Sequence, residues 1–356
     1  MSGPSSTLPS ITRLLVRAPN WLGDAVLALP AMAAVRRSFP RAELTVAASA
    51  PLAELYQQDT DVRPDHVLAL PDGHRATVAA LAAGRFELGI LFPNSFRSAW
   101  QLRQARVPER WGFATSGRGL FLTRRSRSER APRPQHHADY FRALVRGLDL
   151  PSDEAPPRIR PLPATAAQAA VLLTPRGSDA PTGGTIVGVA PGAAYGQAKQ
   201  WPPDRMAALI ARLVSDRGAT CVVVGAAHDR DAARAIESWL RAQAPSTRSQ
   251  VIDLVGRTSL GVLAGVLARC SAFVTNDSGA MHVASAVGRP VVAIFGPTDE
   301  RVTHPLGTHD VLVEPVFCRP CHLRDCPIDH RCMKRISVDR VFEAVSRHLT
   351  TGSVAS

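Results

Sequence analysis

Strand-like and helix-like patterns alternate along this chain in two separate series, and that alternation leaves few folds open. ITRLLVRA (11–18), ELTVAAS (43–49), HVLAL (66–70) and ELGILF (87–92) are β-rich runs, and AMAAVRRSF (31–39), ELYQQ (54–58) and TVAALAAG (77–84) carry helical spacing between them. Strands separated by helices of this length build a parallel, doubly wound sheet. Pro30 suits the opening turn of the helix over 31–39. Residues 150–184, rich in Pro, Ala and Gly with two short elements embedded, mark a domain boundary. The pattern then restarts with TIVGVAP, DRMAALIARLVSD, TCVVVGA, DRDAARAIESWLRAQ, VIDLVG and SLGVLAGVLARC. We therefore expect an α/β protein of two domains, 1–175 and 183–356, which 356 residues with 45% hydrophobic content can supply with two cores.

The second series closes with SAFVTNDSGAMHVASAVGRPVVAIFGPT (271–298). A strand ending at Val274, a loop from Thr275 to Gly279, a helix over about 280–287 and a strand over 290–295 are expected there. Asp277 and Ser278 stand where an N-cap belongs, and Gly279 permits close approach of a ligand. The free N–H groups and positive dipole end of that helix form an anion site at the carboxyl edge of a parallel sheet, suited to a diphosphate. An ordinary well-capped β-α-β turn explains the cap alone. Asn276, Asp277, Ser278, Gly279 and His282 together favour a ligand site, with Thr275, Ala280 and Met281 in the same loop.

Other polar residues fall at expected strand ends. Asp24 follows the first strand at a helix start, where it either accepts a proton from a hydroxyl or merely caps. Lys199, in the loop after the first strand of the second series, either neutralises a diphosphate or is a solvated lysine. Gly192, Ala193 and Gly196 leave room beside it. Asp229 and Asp231 sit just past a strand, where a carboxylate can hold ribose hydroxyls; the sequence does not choose between them, and a charged first helical turn is the plainer alternative. Asn94, Ser95 and Arg97 end the fourth strand.

Cys221 and Cys270 lie in apolar elements, whereas Cys318, Cys321, Cys326 and Cys332 form C-x-x-C-x4-C-x5-C. In a reducing compartment such spacing points to structural zinc, with an iron–sulfur cluster, a disulfide or free thiols as alternatives. No apolar run reaches the ~18 residues of a membrane span, and the N-terminus lacks a secretory signal, so a cytoplasmic protein is expected. The net charge of +12, concentrated in ten arginines over 97–133, favours an anionic partner. A basic, zinc-knuckled nucleic-acid-binding protein is the rival class; with aromatic content of 5% and no base-stacking motif, no nucleic-acid partner is expected.

Four ordered stretches resemble one family: APNWLGDAVLALPAMAAVRRSFP (18–40), LFPNSFRSAW (91–100), APGAAYGQAKQWP (190–202) and TNDSGAMHVASA with GRPVVAIFGPT. They are similar to the heptosyltransferases of the bacterial lipopolysaccharide inner core, and the second and third stretches resemble the type that adds heptose to heptose. The resemblance implies two Rossmann-like domains facing a cleft, the B architecture of glycosyltransferases, with a final helix over about 338–349 that often crosses back to the first domain. It implies an inverting enzyme using ADP-heptose, with Asp24 as general base, Lys199 and the 275–282 loop at the diphosphate, and Asn20, Asn94, Ser95 and Arg97 toward the lipopolysaccharide acceptor. No catalytic cofactor is implied. Peripheral contact with the cytoplasmic face of the inner membrane is implied, the basic stretch facing phosphorylated core and anionic lipid. Transfer to Kdo, as in the first type, is the alternative activity. Adenine and heptose follow from the resemblance alone. The cysteine cluster lies outside the four stretches and is expected to be structural.

Overall fold

The computed structural model describes residues 8–127, 135–174 and 184–351. It contains two six-stranded sheets, and each has every neighbouring pair parallel. The first runs His66–Leu70, Glu43–Ser49, Arg13–Arg17, Leu88–Leu91, Glu109–Gly112, Arg124–Arg125 across its width. The second runs Val251–Asp253, Thr220–Val223, Ile186–Ala190, Ala272–Asn276, Val291–Phe295, His309–Val313. In both, chain order reverses beside the first strand, so each sheet has a switch point where loops splay apart and leave a crevice. Those crevices lie after Arg17 and Leu91 in one sheet and after Ala190 and Asn276 in the other. The central strands Leu88–Leu91, Ile186–Ala190, Ala272–Asn276 and Val291–Phe295 are buried throughout, as two-face coverage requires.

Element boundaries depart from expectation where tertiary partners intervene. The strand expected to end at Val274 continues to Asn276, because Thr275 pairs with Ala190 and Ala293, and Asn276 with Ile294. The helix expected over 31–39 spans Leu29–Ser38, with Pro30 in its first turn. The final helix, Val338–Thr351, buries Val341, Phe342, Ala344 and Val345 in the core of the second half. It stays with that sheet, Phe342 receiving the Arg212 guanidinium at 4.0 Å.

The boundary segment 150–184 includes 175–183, which lies outside the described residues. Before it, Ile159–Arg160 pairs antiparallel with Asp59–Thr60, and the helix Pro163–Leu173 packs on the second half. Its Thr165 and Ala169 press so closely on Gly265 that a side chain there would clash. One apolar cluster runs from Leu14 and Leu44 through Ala169 to Phe273, joining the halves. No helix among the described residues is long and apolar enough to cross a membrane.

Candidate active site

Two helix starts, one from each half, meet back to back. The helix Leu22–Leu27 follows the first strand of the first sheet, and Gly279–Ala286 follows the fourth strand of the second. A Cβ at Gly23 would lie 2.9 Å from the His282 ring, and one at Gly279 would lie 2.8 Å from Leu22. Two glycines spaced along the chain by more than half its length thus make one close contact, and Asp24 arrives beside the second helix.

In the first half a cleft of about 500 Å³ opens at the switch point, lined by Asn20, Trp21, Asp24, Asn94, His137 and Tyr140 among others. Asp24 lies in the first turn of its helix, but no side chain caps that helix. Instead Asp24 Oδ1 faces His137 Nδ1 at 2.9 Å. Asn94 donates to the Tyr140 hydroxyl at 2.5 Å, and its own Oδ1 accepts from Arg118 at 3.3 Å. Arg118 is fully buried and its other donors go to the carbonyls of Phe113 and Pro93. Burial among neutral amides pulls its guanidinium down to about 10. Burial also raises the Tyr140 hydroxyl. Ser95 lines the same cleft while capping the helix Phe96–Gln104, where its Oγ accepts from Ser98 N. Arg97, on that helix, is exposed and stands outside the lining.

The arginine-rich stretch is less of a surface than its composition implies. Arg118 is interior, Arg110 serves the carbonyls of Val107, Pro108 and Phe121, and Arg124 pairs with Asp149 over the Trp111 ring. Arg97, Arg103, Arg106, Arg125 and Arg127 are exposed, and Arg130 and Arg133 lie outside the described residues.

In the second half Lys199 Nζ sits 2.5 Å from Asp277 Oδ2, both side chains largely buried. Thr298 Oγ1 donates to the same oxygen at 2.7 Å. An ammonium has three donors, so Lys199 keeps capacity for a second anion while Asp277 and the Tyr195 ring at 4.7 Å fix its position. Ser278 occupies the N-cap position without capping, its Oγ turned to Thr275 Oγ1 at 3.0 Å, so the first N–H groups of the helix are left uncapped by it.

The loop's residues divide into those that present surface and those that build it. Ser278, Gly279 and Ala280 are half-buried, whereas Thr275, Asn276, Met281 and His282 lie beneath. Asn276 is spent on the chain: it accepts from Trp201 N and donates to the Pro191 and Gly192 carbonyls. That clamp binds the Lys199 loop to the helix mouth. Asp229 and Asp231, indistinguishable by sequence, part completely. Asp231 is solvent-exposed beside Arg234. Asp229 is buried and accepts from Ala226 N, while its Oδ1 makes no hydrogen bond among the described residues and has the His228 ring at 3.4 Å. The space at Gly192 belongs to that carboxylate, 2.0 Å from where a Cβ would stand, and that at Gly196 to the Arg324 backbone. These glycines make room for the protein rather than for a ligand.

The segment of the four cysteines straps over the Lys199 loop. Tyr195 donates to the His322 carbonyl, Ala198 N to the Arg324 carbonyl, and His330 bonds the Ala198 carbonyl. Among the described residues no group of three or more His, Cys, Asp or Glu could hold a metal ion. Cys326 is exposed and Cys332 buried; burial first, then the nearby thiols of Cys318, Cys326 and Cys321, push the Cys332 thiol up.

His282 is interior, and burial pulls it from 6.5 down to about 4, with Nδ1 unpartnered among the described residues. An unfolded chain takes up this proton below about 6.5, whereas the folded one resists until about 4. Stability from the neutral ring is therefore complete above the upper value and is lost as pH falls through the window, by up to ~3 kcal/mol. Thermal melts of wild type and His282→Gln between pH 7 and 5 check this. The variant should show the shallower slope, and equal slopes would refute the assignment.

His137, Tyr140 and Arg118 carry no motif signal. Two adjacent histidines, His136 and His137, opening a helix are the one hint available in sequence.

A family model described as Glycosyltransferase family 9 (heptosyltransferase) matches residues 74–331. The lipopolysaccharide heptosyltransferase 2 of Escherichia coli K12 is 29% identical over 308 residues, 83% of this chain and 85% of that protein. The lipooligosaccharide heptosyltransferase 2 of Haemophilus ducreyi is 27% identical, covering 95% of this chain and 99% of its own. Among solved structures, E. coli ADP-heptose LPS heptosyltransferase II superposes with a TM-score of 0.81 at 25% identity, over 96% of this chain and 100% of that one. The paired doubly wound sheets are the B architecture of glycosyltransferases. With that match covering well over half of the chain, the chain belongs to glycosyltransferase family 9, the heptosyltransferase family.

Proposed function

We propose that this chain moves heptose from ADP-heptose to the first heptose of the lipopolysaccharide inner core, inverting the anomeric carbon in one displacement. The observation that carries the reading is the meeting of the two switch points, Gly23 against His282 and Gly279 against Leu22, which sets Asp24 beside the helix mouth held by Lys199. Asp24 accepts the proton of the acceptor hydroxyl, whose oxygen attacks from the face opposite the diphosphate. Lys199 and the N–H groups of Ser278, Gly279 and Ala280 take up the charge gathering on the departing diphosphate. We assign the ribose hydroxyls to Asp229, whose Oδ1 makes no hydrogen bond among the described residues, has the His228 ring at 3.4 Å and lies by the Gly192 loop, rather than to solvent-facing Asp231. Asn20, Asn94 and Ser95 line the acceptor side, and exposed Arg97 lies in the first turn of the helix that Ser95 caps. One positioned carboxylate with no second nucleophile suits inversion, and the reading calls for no catalytic cofactor. The type-2 relatives support a heptose acceptor over Kdo. Turnover of ADP-heptose with defined heptose-terminated and Kdo-terminated acceptors tests the choice: preference for Kdo would reassign the enzyme to the first type.

The acceptor is a lipid, and we place the protein at the cytoplasmic face of the inner membrane. Trp21, Phe96 and Leu120 are exposed apolar residues, with Trp21 in the cleft wall and Phe96 beside Ser95, and Arg97 and Arg125 are exposed nearby in sequence. Co-sedimentation with anionic but not neutral vesicles is expected, weakened by Trp21→Ser with Leu120→Ser; equal recovery with both vesicle types would oppose it.

For the cysteine segment the zinc reading rests on spacing. If zinc is bound, Cys321→Ser with Cys326→Ser lowers the melting temperature, and donor affinity falls with it because the segment holds the Lys199 loop through Tyr195 and Ala198. Elemental analysis giving well under one metal per chain, with all four thiols titratable, would end the zinc reading.

A further inference from the structure

The carboxylate read as the base has a partner on a distant element. Asp24 belongs to the helix Leu22–Leu27, and the residue facing it at 2.9 Å, His137, opens the helix His137–Arg146. Both line the acceptor cleft, and both are part-exposed there, Asp24 by 28% and His137 by 43% of the side chain. A carboxylate so placed has two free torsions and two equivalent oxygens, and only one orientation offers a lone pair to the substrate hydroxyl. An ionised carboxylate can only accept, so the proton in this contact sits on Nδ1 of His137. The bond thereby occupies Oδ1, and Oδ2 accepts no hydrogen bond from the described residues.

The imidazole is itself held. His136, immediately before it, accepts from Ala138 N through Nδ1 at 3.2 Å. Its Nε2 reaches the His304 carbonyl of the second half at 3.0 Å. Those partners put the His136 proton on Nε2 and pin the first turn that carries His137 between the two halves. The titratable groups around His137 are Asp24 across the cleft wall, His282 from the helix Gly279–Ala286, and His136, Asp139 and Tyr140 on its own helix. Of these, Asp24 alone is in hydrogen-bond contact with it among the described residues.

We propose that His137 is the positioning residue for Asp24, an inference that rests on the reading of Asp24 as proton acceptor. In the step it serves, the acceptor O–H bond breaks and its electron pair forms the bond to the anomeric carbon. The bond from that carbon to the diphosphate breaks, its pair leaving on the diphosphate oxygen, and the proton goes to Oδ2 of Asp24. Throughout, the Nδ1–H to Oδ1 hydrogen bond holds the carboxylate plane. Without it the base samples orientations that miss the hydroxyl, and misplacement of about 1 Å costs up to ~100-fold in rate.

The test compares His137→Ala, His137→Asn, Asp24→Asn and the Asp24→Asn/His137→Ala double variant in the full chain, with donor and acceptor kinetics and melting curves. His137→Ala should lower kcat about 10- to 100-fold, with KM for ADP-heptose little changed. His137→Asn, whose amide N–H falls near the place of Nδ1–H, should recover most of the loss. In the Asp24→Asn background His137→Ala should cost little more, since the group it positions is gone. Wild-type kcat in His137→Ala, or a full additive loss in the double variant, overturns the proposal. So does a His137→Asn variant as slow as His137→Ala with the acid limb of its pH profile displaced, which would make the imidazole the base. Near wild-type turnover by Asp24→Asn alone would instead defeat the reading of Asp24, so the two failures are told apart.

Discussion

Asp24→Asn is expected to reduce heptose transfer by ~100-fold or more while leaving the fold and donor binding close to wild type. The substitution is nearly isosteric, and the amide oxygen can still accept from His137, so the 2.9 Å contact survives. What disappears is the negative charge and the basic lone pair directed into the cleft. Asp24 caps nothing and is only partly buried, so little stability is at stake. Steady-state transfer to a heptose-terminated acceptor, beside a calorimetric titration of ADP, separates the two effects. Turnover near wild type would remove Asp24 from the mechanism.

Lys199→Ala should be the more complex loss. Removing a positioned electrostatic donor typically costs ~10²–10³ in rate, so kcat should fall as the diphosphate departs without its cation. Donor affinity should weaken in parallel, because in the proposed mechanism the same ammonium faces the bound diphosphate. The variant also strands Asp277, a buried carboxylate then left with Thr298, and breaking such a pair destabilises by ~3–5 kcal/mol. A drop in melting temperature is therefore part of the expectation. Lys199→Ala with Asp277→Asn should regain much of the stability but none of the rate, and that split isolates the electrostatic role. Transfer by the wild type should persist in excess chelator. Strict dependence on added magnesium would contradict the assignment of diphosphate neutralisation to Lys199 and its helix mouth, and so would full activity of Lys199→Ala.

The periodicity of the chain alone determined the two parallel sheets, because a buried strand followed by an amphipathic helix has few ways to cover both of its faces. It also located the loops that matter: in a doubly wound sheet the crevice lies at the carboxyl ends of the strands, and those ends can be counted along the sequence. The placement of Asp24, Lys199 and the 275–282 loop at strand ends was legible for that reason, and the roles proposed for them come from the family resemblance. Which side chains point into the crevices was decided only by tertiary packing. Thr275, Asn276, Met281 and His282 look like ligand contacts in a linear motif, but the strand runs on to Asn276 and buries the first two, and the inner face of the next helix buries the others. Asp229 and Asp231 stand two residues apart and are equivalent on paper, until a helix turn sends one beneath Gly192 and the other into water. Arg118 reads as one more surface charge and is an interior group holding Asn94. His137 lies 113 residues from Asp24 and meets it only because two helices of the first half converge on one cleft. Local sequence sets which groups reach a strand end, since that depends on period and turn chemistry. Contacts between distant segments depend on how whole helices pack, and no local pattern encodes them.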